Sequence, residues 1–189
     1  MIRSRRCGIH RMNVLFYLYS CFQLVAMKKS LFLCVFLLIC ACTSEEITTY
    51  YLIRHAEKDR TDATNKNPSL NSEGLIRAKK WMHYFDAIEL DAIYSTDYNR
   101  TKQTGTPTAA QKKLPIQTYD PSNMYDSTFI KATYGKSVLI VGHSNTTPNL
   151  VNLILKEKTY KNMKDTDNSS VYIVTIQGTK KTCRIMRVQ

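Results

Sequence analysis

Ten residues decide the fold: Thr48-Thr49-Tyr50-Tyr51-Leu52-Ile53-Arg54-His55-Ala56-Glu57. Residues 50–53 are a short run of aromatic and aliphatic side chains, which is typical of a strand in a buried sheet. An arginine and a histidine follow at the carboxyl end of this strand, the edge at which open α/β sheets bind ligands. Alone, the pair indicates little, because a chain with 27 basic residues contains such pairs by chance.

Two later strands end in side chains of matching chemistry. Arg100 follows residues 93–95 closely, and His143 comes directly after residues 138–142. Three strand ends would then bring two guanidiniums and two imidazoles to one edge of the sheet. Guanidiniums offer fixed donor forks for the oxygens of a tetrahedral anion. The sequence therefore predicts an oxyanion site at Arg54, His55, Arg100 and His143.

The rest of the hydrophobic pattern predicts alternating strands and helices. Strands are expected at 90–95, 116–119, 138–141, 171–176 and 182–188, and helices at about 71–85, 98–113 and 124–134. A fourth helix is expected to be in place by Pro148, with Leu150, Val151, Ile154 and Leu155 on its apolar side. The first helix has an apolar stripe of Leu75, Ala78, Met82 and Phe85, and Pro107 should break or kink the second. This order predicts an α/β three-layer sandwich with a mostly parallel central sheet, helices on both faces and an antiparallel edge strand.

The first 42 residues are typical of an export signal. A basic segment, residues 27–29, precedes the apolar residues 31–41, a run too short to span a bilayer comfortably. The run ends in Ile39-Cys40-Ala41-Cys42, which resembles the cleavage box of bacterial lipoproteins. This resemblance implies that Cys42 is lipidated and becomes the first mature residue, on the extracytoplasmic side of the cell envelope.

Two interpretations stay open for residues 1–26, which carry a second apolar run at 14–26 behind a basic start. We favour Met27 as the true start, because Lys28 and Lys29 interrupt any single long span. The alternative is a longer N-terminal membrane anchor. The predicted organisation is an N-terminal extension and signal peptide at 1–42, a tether at 43–48 and a domain at 49–189.

The net charge of +12 is concentrated near the N-terminus. Six of the 27 basic residues and none of the 15 acidic ones precede Cys42, so the balance from residue 43 onward is 21 minus 15, or +6. A mild positive excess attracts an anionic substrate. The lysines are scattered, and no basic stripe alternates with stacking aromatics, so we expect no nucleic-acid partner.

Four motifs resemble those of the histidine phosphatase (phosphoglycerate mutase-like) superfamily. In chain order they are Leu52-Ile53-Arg54-His55-Ala56-Glu57, Leu70-Asn71-Ser72-Glu73-Gly74, Tyr94-Ser95-Thr96-Asp97-Tyr98-Asn99-Arg100-Thr101-Lys102-Gln103-Thr104 and Val141-Gly142-His143-Ser144-Asn145. The resemblance covers residues 50–176. Within the superfamily the chain resembles the short branch, which includes the bacterial phosphohistidine phosphatases, because residues 43–189 leave no room for a cap-domain insertion.

By this resemblance His55 is the nucleophile that becomes phosphorylated, with its other ring nitrogen donating to a backbone carbonyl. Arg54 and Arg100 would clamp the phosphoryl oxygens, and a charged His143 would stabilise the transferring group. Main-chain N–H groups near Asn145, at a helix start, would add further anion donors. Such chemistry implies no metal and no cofactor.

The general acid is the gap in this set. Many members supply a glutamate after the third strand to protonate the leaving oxygen, and this chain has none there. Asp126 is our candidate, with Asp120 and Glu57 nearby, although an acid in a first helical turn has a more ordinary role. Asp165 and Asp167 are an isolated pair in a loop, too few ligands for calcium or magnesium.

The sequence predicts a metal-independent phosphatase with a phosphohistidine intermediate. Its substrate would be a small extracytoplasmic phosphomonoester or phosphoramidate, and the protein would be a monomer held on a membrane by its lipid. The alternative from another class is a phosphate-ligand-binding lipoprotein with little or no turnover. A phosphomutase is the weakest of the three, since export separates the protein from glycolysis.

Overall fold

The computed structural model describes Tyr19 and residues 45–189. Residues 45–189 contain the predicted alternation of strands and helices: β1 (Ile47–Arg54), α1 (Ser72–Tyr84), β2 (Ala92–Ser95), α2 (Asn99–Lys112), β3 (Ile116–Thr118), α3 (Ser127–Thr133), β4 (Ser137–Gly142), α4 (Thr146–Leu155), β5 (Ser170–Gln177) and β6 (Lys180–Arg187). The predicted α/β fold with its mixed sheet is confirmed. β1 begins at Ile47, two residues before the predicted domain start, and Thr48 is buried within it.

The predicted signal peptide, the Met27 start and the lipidated Cys42 lie outside the described residues. Among the residues that are described, no helix is both long enough and apolar enough to cross a membrane.

The six strands form one sheet in the order β3-β2-β4-β1-β5-β6. β1, β2, β3 and β4 are parallel, whereas β5 is antiparallel to β1 and pairs with β6 as a hairpin at one end of the sheet. The reversed strand, β5, therefore lies one position in from the edge. β1 and β4 are neighbours in register, with Arg54 opposite Gly142, so their carboxyl ends lie side by side.

Helices cover both faces of the sheet. α1 and α2 lie over one core, whose buried members include Ile53, Trp81, Phe85, Ile93, Ala109, Leu139, Val141, Val171 and Ile173. α3 and α4 lie over the other, whose members include Tyr50, Leu52, Tyr94, Val138, Ile140, Leu150, Val151, Ile154 and Val174. Successive strand residues point to opposite faces, so central strands covered on both sides are apolar at consecutive positions.

The buried face of α1 differs from the predicted stripe. Ala78 and Phe85 are buried as expected, but Leu75 is 52% exposed, Met82 is only partly buried, and Trp81 is buried instead. The cause is a close backbone approach: a Cβ atom on Gly74 would lie 2.1 Å from the carbonyl oxygen of Glu57. This contact turns the helix so that its glycine faces the loop after β1, a tertiary constraint that hydrophobic periodicity does not contain.

α2 is one continuous helix through Pro107, so the predicted break does not occur. A proline inside a helix removes one backbone hydrogen bond, and packing can compensate for that loss. The flanking residues Thr104, Gly105, Thr108 and Ala109 are all buried against the sheet and α1. Tertiary packing therefore outweighs the local preference at this position.

Candidate functional site

The parallel pairing of β1 and β4 places two histidines next to each other. The His55 backbone N–H donates to the Gly142 carbonyl at 2.9 Å, which continues the ladder one residue beyond β1. His143 follows Gly142 directly, and the ring centroids of His55 and His143 are 5.5 Å apart, with planes at 66°. The two imidazoles thus face a common space at the end of the sheet.

His55 is buried and held in one orientation. Its Nδ1–H donates to the Ala56 carbonyl at 2.7 Å, the bond expected from the sequence, and this leaves Nε2 with its lone pair. Asn168 fixes the backbone by donating to the His55 carbonyl at 2.7 Å. Burial, followed by the positive charge of Arg54, lowers the pKa of His55 to about 3, although the bond to Ala56 opposes this. At neutral pH the ring is therefore an uncharged nucleophile.

Arg54 is 3% exposed and is oriented by the loop between α4 and β5. Its Nη1 donates to the carbonyls of Lys164 and Asp165 at 2.9 and 2.7 Å, and its Nη2 donates to Asp165 Oδ1 at 2.6 Å. Its Nε is buried and, within the described residues, has no hydrogen-bond partner. The end of the guanidinium is anchored, while the Nε side keeps a free donor.

Arg100 approaches the same space from the first turn of α2. Its guanidinium carbon lies over the Tyr98 ring, 4.4 Å from the ring centre, which is a cation–π contact. Its Nε and Nη1 are buried and lack partners among the described residues. Because a buried unpaired donor of a charged group costs free energy, these atoms indicate a site for an anion.

His143 is oriented by a chain of hydroxyls. Its Nε2 lies 2.9 Å from Thr96 Oγ1, which donates to Thr101 Oγ1 at 3.0 Å, and Thr101 in turn donates to the Thr96 carbonyl. With its own proton directed to Thr101, Thr96 can accept from His143 Nε2–H. The Tyr98 ring packs edge-on against the imidazole, with centroids 5.1 Å apart.

The charge of His143 in the free site differs from the expectation. Burial and the charges of Arg100, Arg54 and Lys58 lower its pKa to about 4, so the ring is neutral at pH 7. The charged form implied by the resemblance needs an anion in the site, because only a negative ligand offsets these cations.

The four predicted side chains line one cavity of about 410 Å³. We call this cavity the cage; its lining also includes Lys58, Tyr98, Pro121, Ser144, Asn145, Thr146 and Asp165. Asn145 is the N-cap of α4, and it lines the cage together with Thr146, the first residue of that helix. The next N–H group, that of Thr147, donates to the His143 carbonyl at 3.0 Å, so anion binding by the main chain near Asn145 stays a prediction. The structure therefore brings together Arg54, His55, Arg100, His143 and Asn145.

The candidate acids lie elsewhere or are already engaged. Asp126 is the N-cap of α3, where its Oδ1 accepts from the Phe129 N–H at 2.7 Å, and it is not part of the cage lining. Glu57 forms an ion pair with Arg77 at 2.6 Å. Asp120 accepts from Ser122 in its own turn. None of the three carboxylates is placed to protonate a leaving group in the cage.

Six residues of the cage lining had no role assigned from the sequence, and three of them interact with its charged groups. Lys58 could have been suspected from its position four residues after Arg54, but the sequence does not show which way a loop side chain points. Tyr98 belonged to a quoted motif without an assigned role. Asp165 was considered only as a metal ligand, because 111 positions separate it from Arg54 in the chain. Residues 45–189 and Tyr19 contain no group of three or more acidic, histidine or cysteine side chains that could hold a metal ion.

We expect sulfate to bind this site more tightly as the pH falls. His143 is neutral in the free site, and a bound dianion raises its pKa, so binding takes up a proton. The Kd for sulfate should fall about tenfold for each unit by which the pH is lowered, in the range between the pKa of His143 in the bound protein and its pKa in the free protein. Calorimetric titration with sulfate, whose charge is constant over the range used, measures this. The slope should disappear in His143→Gln; a slope that persists would assign the proton to another group.

Two sequence comparisons bear on these findings. Residues 50–121 match the model of a family described as histidine phosphatase superfamily (branch 1). This segment contains Arg54, His55 and Arg100, while His143 lies beyond it. A comparison with curated proteins finds no match.

Several solved structures have the same fold, and the match covers nearly the whole length of each of them. Protein histidine phosphatase SixA complexed with tungstate has a TM-score of 0.59 at 16% identity, covering 74% of this chain and 96% of that one. The alpha-ribazole phosphatase from Shigella flexneri has a TM-score of 0.58 at 13% identity, covering 74% and 96%. Phosphoglycerate mutase from Bacillus anthracis has a TM-score of 0.57 at 16% identity, covering 76% and 94%. Residues 50–121 thus carry the sequence pattern of the histidine phosphatase superfamily (branch 1), and the domain around them has the phosphoglycerate mutase-like fold.

Proposed function

We propose that this protein is a histidine phosphatase that hydrolyses a small phosphomonoester or phosphoramidate through a phosphohistidine intermediate. The observation that carries the proposal is the set of buried, unpartnered guanidinium donors around His55, which are Arg54 Nε, Arg100 Nε and Arg100 Nη1. Three such donors beside a neutral imidazole suit a phosphoryl group, because phosphoryl transfer requires chiefly positioning and charge stabilisation. The family match over residues 50–121 agrees with this chemistry.

The reaction would proceed in two displacements. His55 Nε2 attacks phosphorus, the bond from phosphorus to the leaving oxygen or nitrogen breaks, and the leaving group takes a proton from water. Arg54 and Arg100 hold the phosphoryl oxygens, and His143, charged once the dianion is bound, supports them. Water then attacks the phosphohistidine, which releases inorganic phosphate and restores neutral His55.

The position of the acidic side chains affects which substrates react well. Glu57, Asp120 and Asp126 are engaged outside the cage, so leaving groups that need no strong general acid are favoured. Aryl phosphates leave as stabilised phenolates, and a phosphoramidate can be protonated on nitrogen before its bond breaks. We therefore expect these two classes to exceed simple alkyl phosphates in kcat.

The proposed location follows from the N-terminal sequence. A lipid on Cys42 would hold the domain on the extracytoplasmic side of a bacterial membrane, as a monomer whose partners are its substrate and the bilayer. Support comes from the basic residues, the apolar run and the cleavage box before Cys42. Mass spectrometry of the mature protein tests this, since a mature chain that still begins at Met1 would refute it.

Two other functions use the same cage. A phosphate-ligand-binding lipoprotein is favoured by the engaged carboxylates, because binding needs no general acid. A phosphomutase must also retain and reorient a bisphosphate, and the acidic side chain of Asp165 beside the cage opposes a second phosphate there.

The experiment that separates these functions uses p-nitrophenyl phosphate and the purified protein. We expect steady release of p-nitrophenol that EDTA does not reduce, because the proposed chemistry uses only side chains. Tungstate, a tetrahedral oxyanion, should inhibit competitively. Tight tungstate binding without hydrolysis of any phosphate ester or phosphoramidate would favour the binding protein, and loss of activity in EDTA would contradict the metal-independent mechanism.

A further inference from the structure

Asp165 places a carboxylate at the entrance of the cage. Its Oδ1 lies 2.6 Å from Arg54 Nη2, and its Oδ2 lies 2.6 Å from Arg60 Nη2. The Arg54 side chain is 3% exposed, while the Asp165 side chain is 66% exposed. One carboxylate therefore joins a buried arginine of the cage to a surface arginine and remains accessible to a ligand.

The loop that carries Asp165 is tied to the site on both sides. Met163 N–H donates to the Ser144 carbonyl at 2.8 Å, and Met163 itself is buried. The carbonyls of Lys164 and Asp165 accept from Arg54, and Asn168 donates to the His55 carbonyl. These bonds fix the position of the carboxylate relative to the nucleophile.

A second cavity, which we call the side cavity, adjoins the cage. It has a volume of about 750 Å³ and shares His55, Lys58 and Asp165 with the cage. Because the nucleophile lines both cavities, the side cavity can accept the organic part of a substrate whose phosphoryl group occupies the cage.

The two cavities differ in charge. The side cavity has four carboxylates, those of Glu57, Asp59, Glu73 and Asp165, against two cations, Lys58 and Arg60. Arg60 is already paired with Asp165. Burial and then the charge of Arg100 lower the pKa of Lys58, whose side chain lines both cavities. The lining thus holds two more carboxylates than cations, although Glu57 is paired with Arg77 and Asp165 with two arginines. Of the four carboxylates, Asp165 is the one that also lines the cage.

From this geometry we infer that Asp165 is a specificity-determining residue that selects substrates by the charge of their organic part. A substrate with an amine near its phosphate gains an attraction, whereas one with a second anionic group is repelled. The substrate class is therefore a phosphomonoester or phosphoramidate whose organic part carries a cationic group. This inference deepens the proposed function and rests on it.

Asp165 does not serve as the general acid. Its hydrogen bond from Arg54 holds the pKa of the carboxyl below its usual range, so the group is ionised when a substrate arrives. An ionised carboxylate supplies no proton, but it supplies a constant negative charge. Replacement by asparagine removes this charge and keeps an oxygen that can accept from Arg54.

The test compares two alkyl phosphates of similar size, phosphoethanolamine and phosphoglycolate. In the unaltered protein we expect kcat/KM to be higher for phosphoethanolamine. In Asp165→Asn the ratio of the two values should fall at least about fivefold, as expected for loss of one partly exposed charge interaction. Glu157→Gln, which removes a carboxylate from a loop residue that lines neither cavity, is the matched control and should leave the ratio unchanged.

An unchanged ratio in Asp165→Asn, or a native preference for phosphoglycolate, would overturn the inference. Failure of the proposed function gives a different result, namely no hydrolysis of p-nitrophenyl phosphate by the unaltered protein. In that case calorimetry gives the Kd values of phosphoethanolamine and phosphoglycolate, and the ratio of these values measures the selection by charge. The same fivefold change in their ratio is then expected, and equal ratios in the two proteins would again refute a role for Asp165.

Discussion

Replacement of His55 by alanine is expected to lower kcat for p-nitrophenyl phosphate by at least about 10⁴-fold, the scale seen when a covalent nucleophile is removed. The reason is that the side chain supplies the atom that bonds to phosphorus. Its Nδ1–H is committed to the Ala56 carbonyl, and its pKa of about 3 keeps Nε2 free of a proton at neutral pH. Rates in the steady state with both proteins at equal concentration measure the effect.

His83 offers a matched control for this substitution. It lies exposed in the last turn of α1, away from both cavities, so His83→Ala should leave kcat within about twofold of the unaltered protein, as surface changes usually do. A rapid acid or base quench with labelled substrate provides a second readout. A base-stable, acid-labile phosphoprotein should form in the His83 variant and be absent in the His55 variant. Hydrolysis that survives His55→Ala would show that another group attacks phosphorus.

Replacement of Arg100 by lysine should lower kcat/KM by about 100-fold, or about 3 kcal/mol, the cost of losing one preorganised oxyanion donor. Lysine keeps the positive charge but cannot present the two buried donors, Nε and Nη1, in a fixed plane. It also loses the contact between the guanidinium and the Tyr98 ring. The affinity for tungstate should weaken in parallel, because the same donors bind the free oxyanion.

Two controls separate this effect from a general loss of charge or fold. Arg184→Lys changes an exposed arginine of β6 and should alter neither kcat/KM nor tungstate affinity. In Arg100→Ala, added guanidinium at a concentration below its denaturing range should restore part of the activity. If Arg100→Lys retained full activity, positive charge alone would explain the role of this residue, and the fixed geometry of the guanidinium donors would have no special importance.

Much of this site could be predicted because its members are adjacent to strands that the local sequence identifies. Residues 138–141 are apolar at every position, so a buried strand and the histidine after it are recognisable without a structure. The same holds for Arg54, the last residue of β1, and for His55 directly after it. Parallel strands place their carboxyl ends at one edge, so the meeting of these side chains follows from the fold class.

Other features depend on contacts between distant segments. The face of α1 is set by the approach of Gly74 to Glu57, and Asp165 meets Arg54 through a loop that no local pattern positions. The low pKa values of His55 and His143 come from burial and from cations that gather only in the folded chain. Asp126 was a reasonable candidate acid by sequence, yet its carboxylate caps α3.

The sequence by itself determined the order of strands and helices, the α/β class and the four side chains of the cage, because each is encoded in a short segment with its own periodicity or motif. Only the tertiary structure decided which donors remain free, that both histidines are neutral in the free site and which carboxylate lies at the entrance. These properties are sums over neighbours from separate segments, and burial and electrostatic interactions act between atoms that are close in space whatever their separation in the chain.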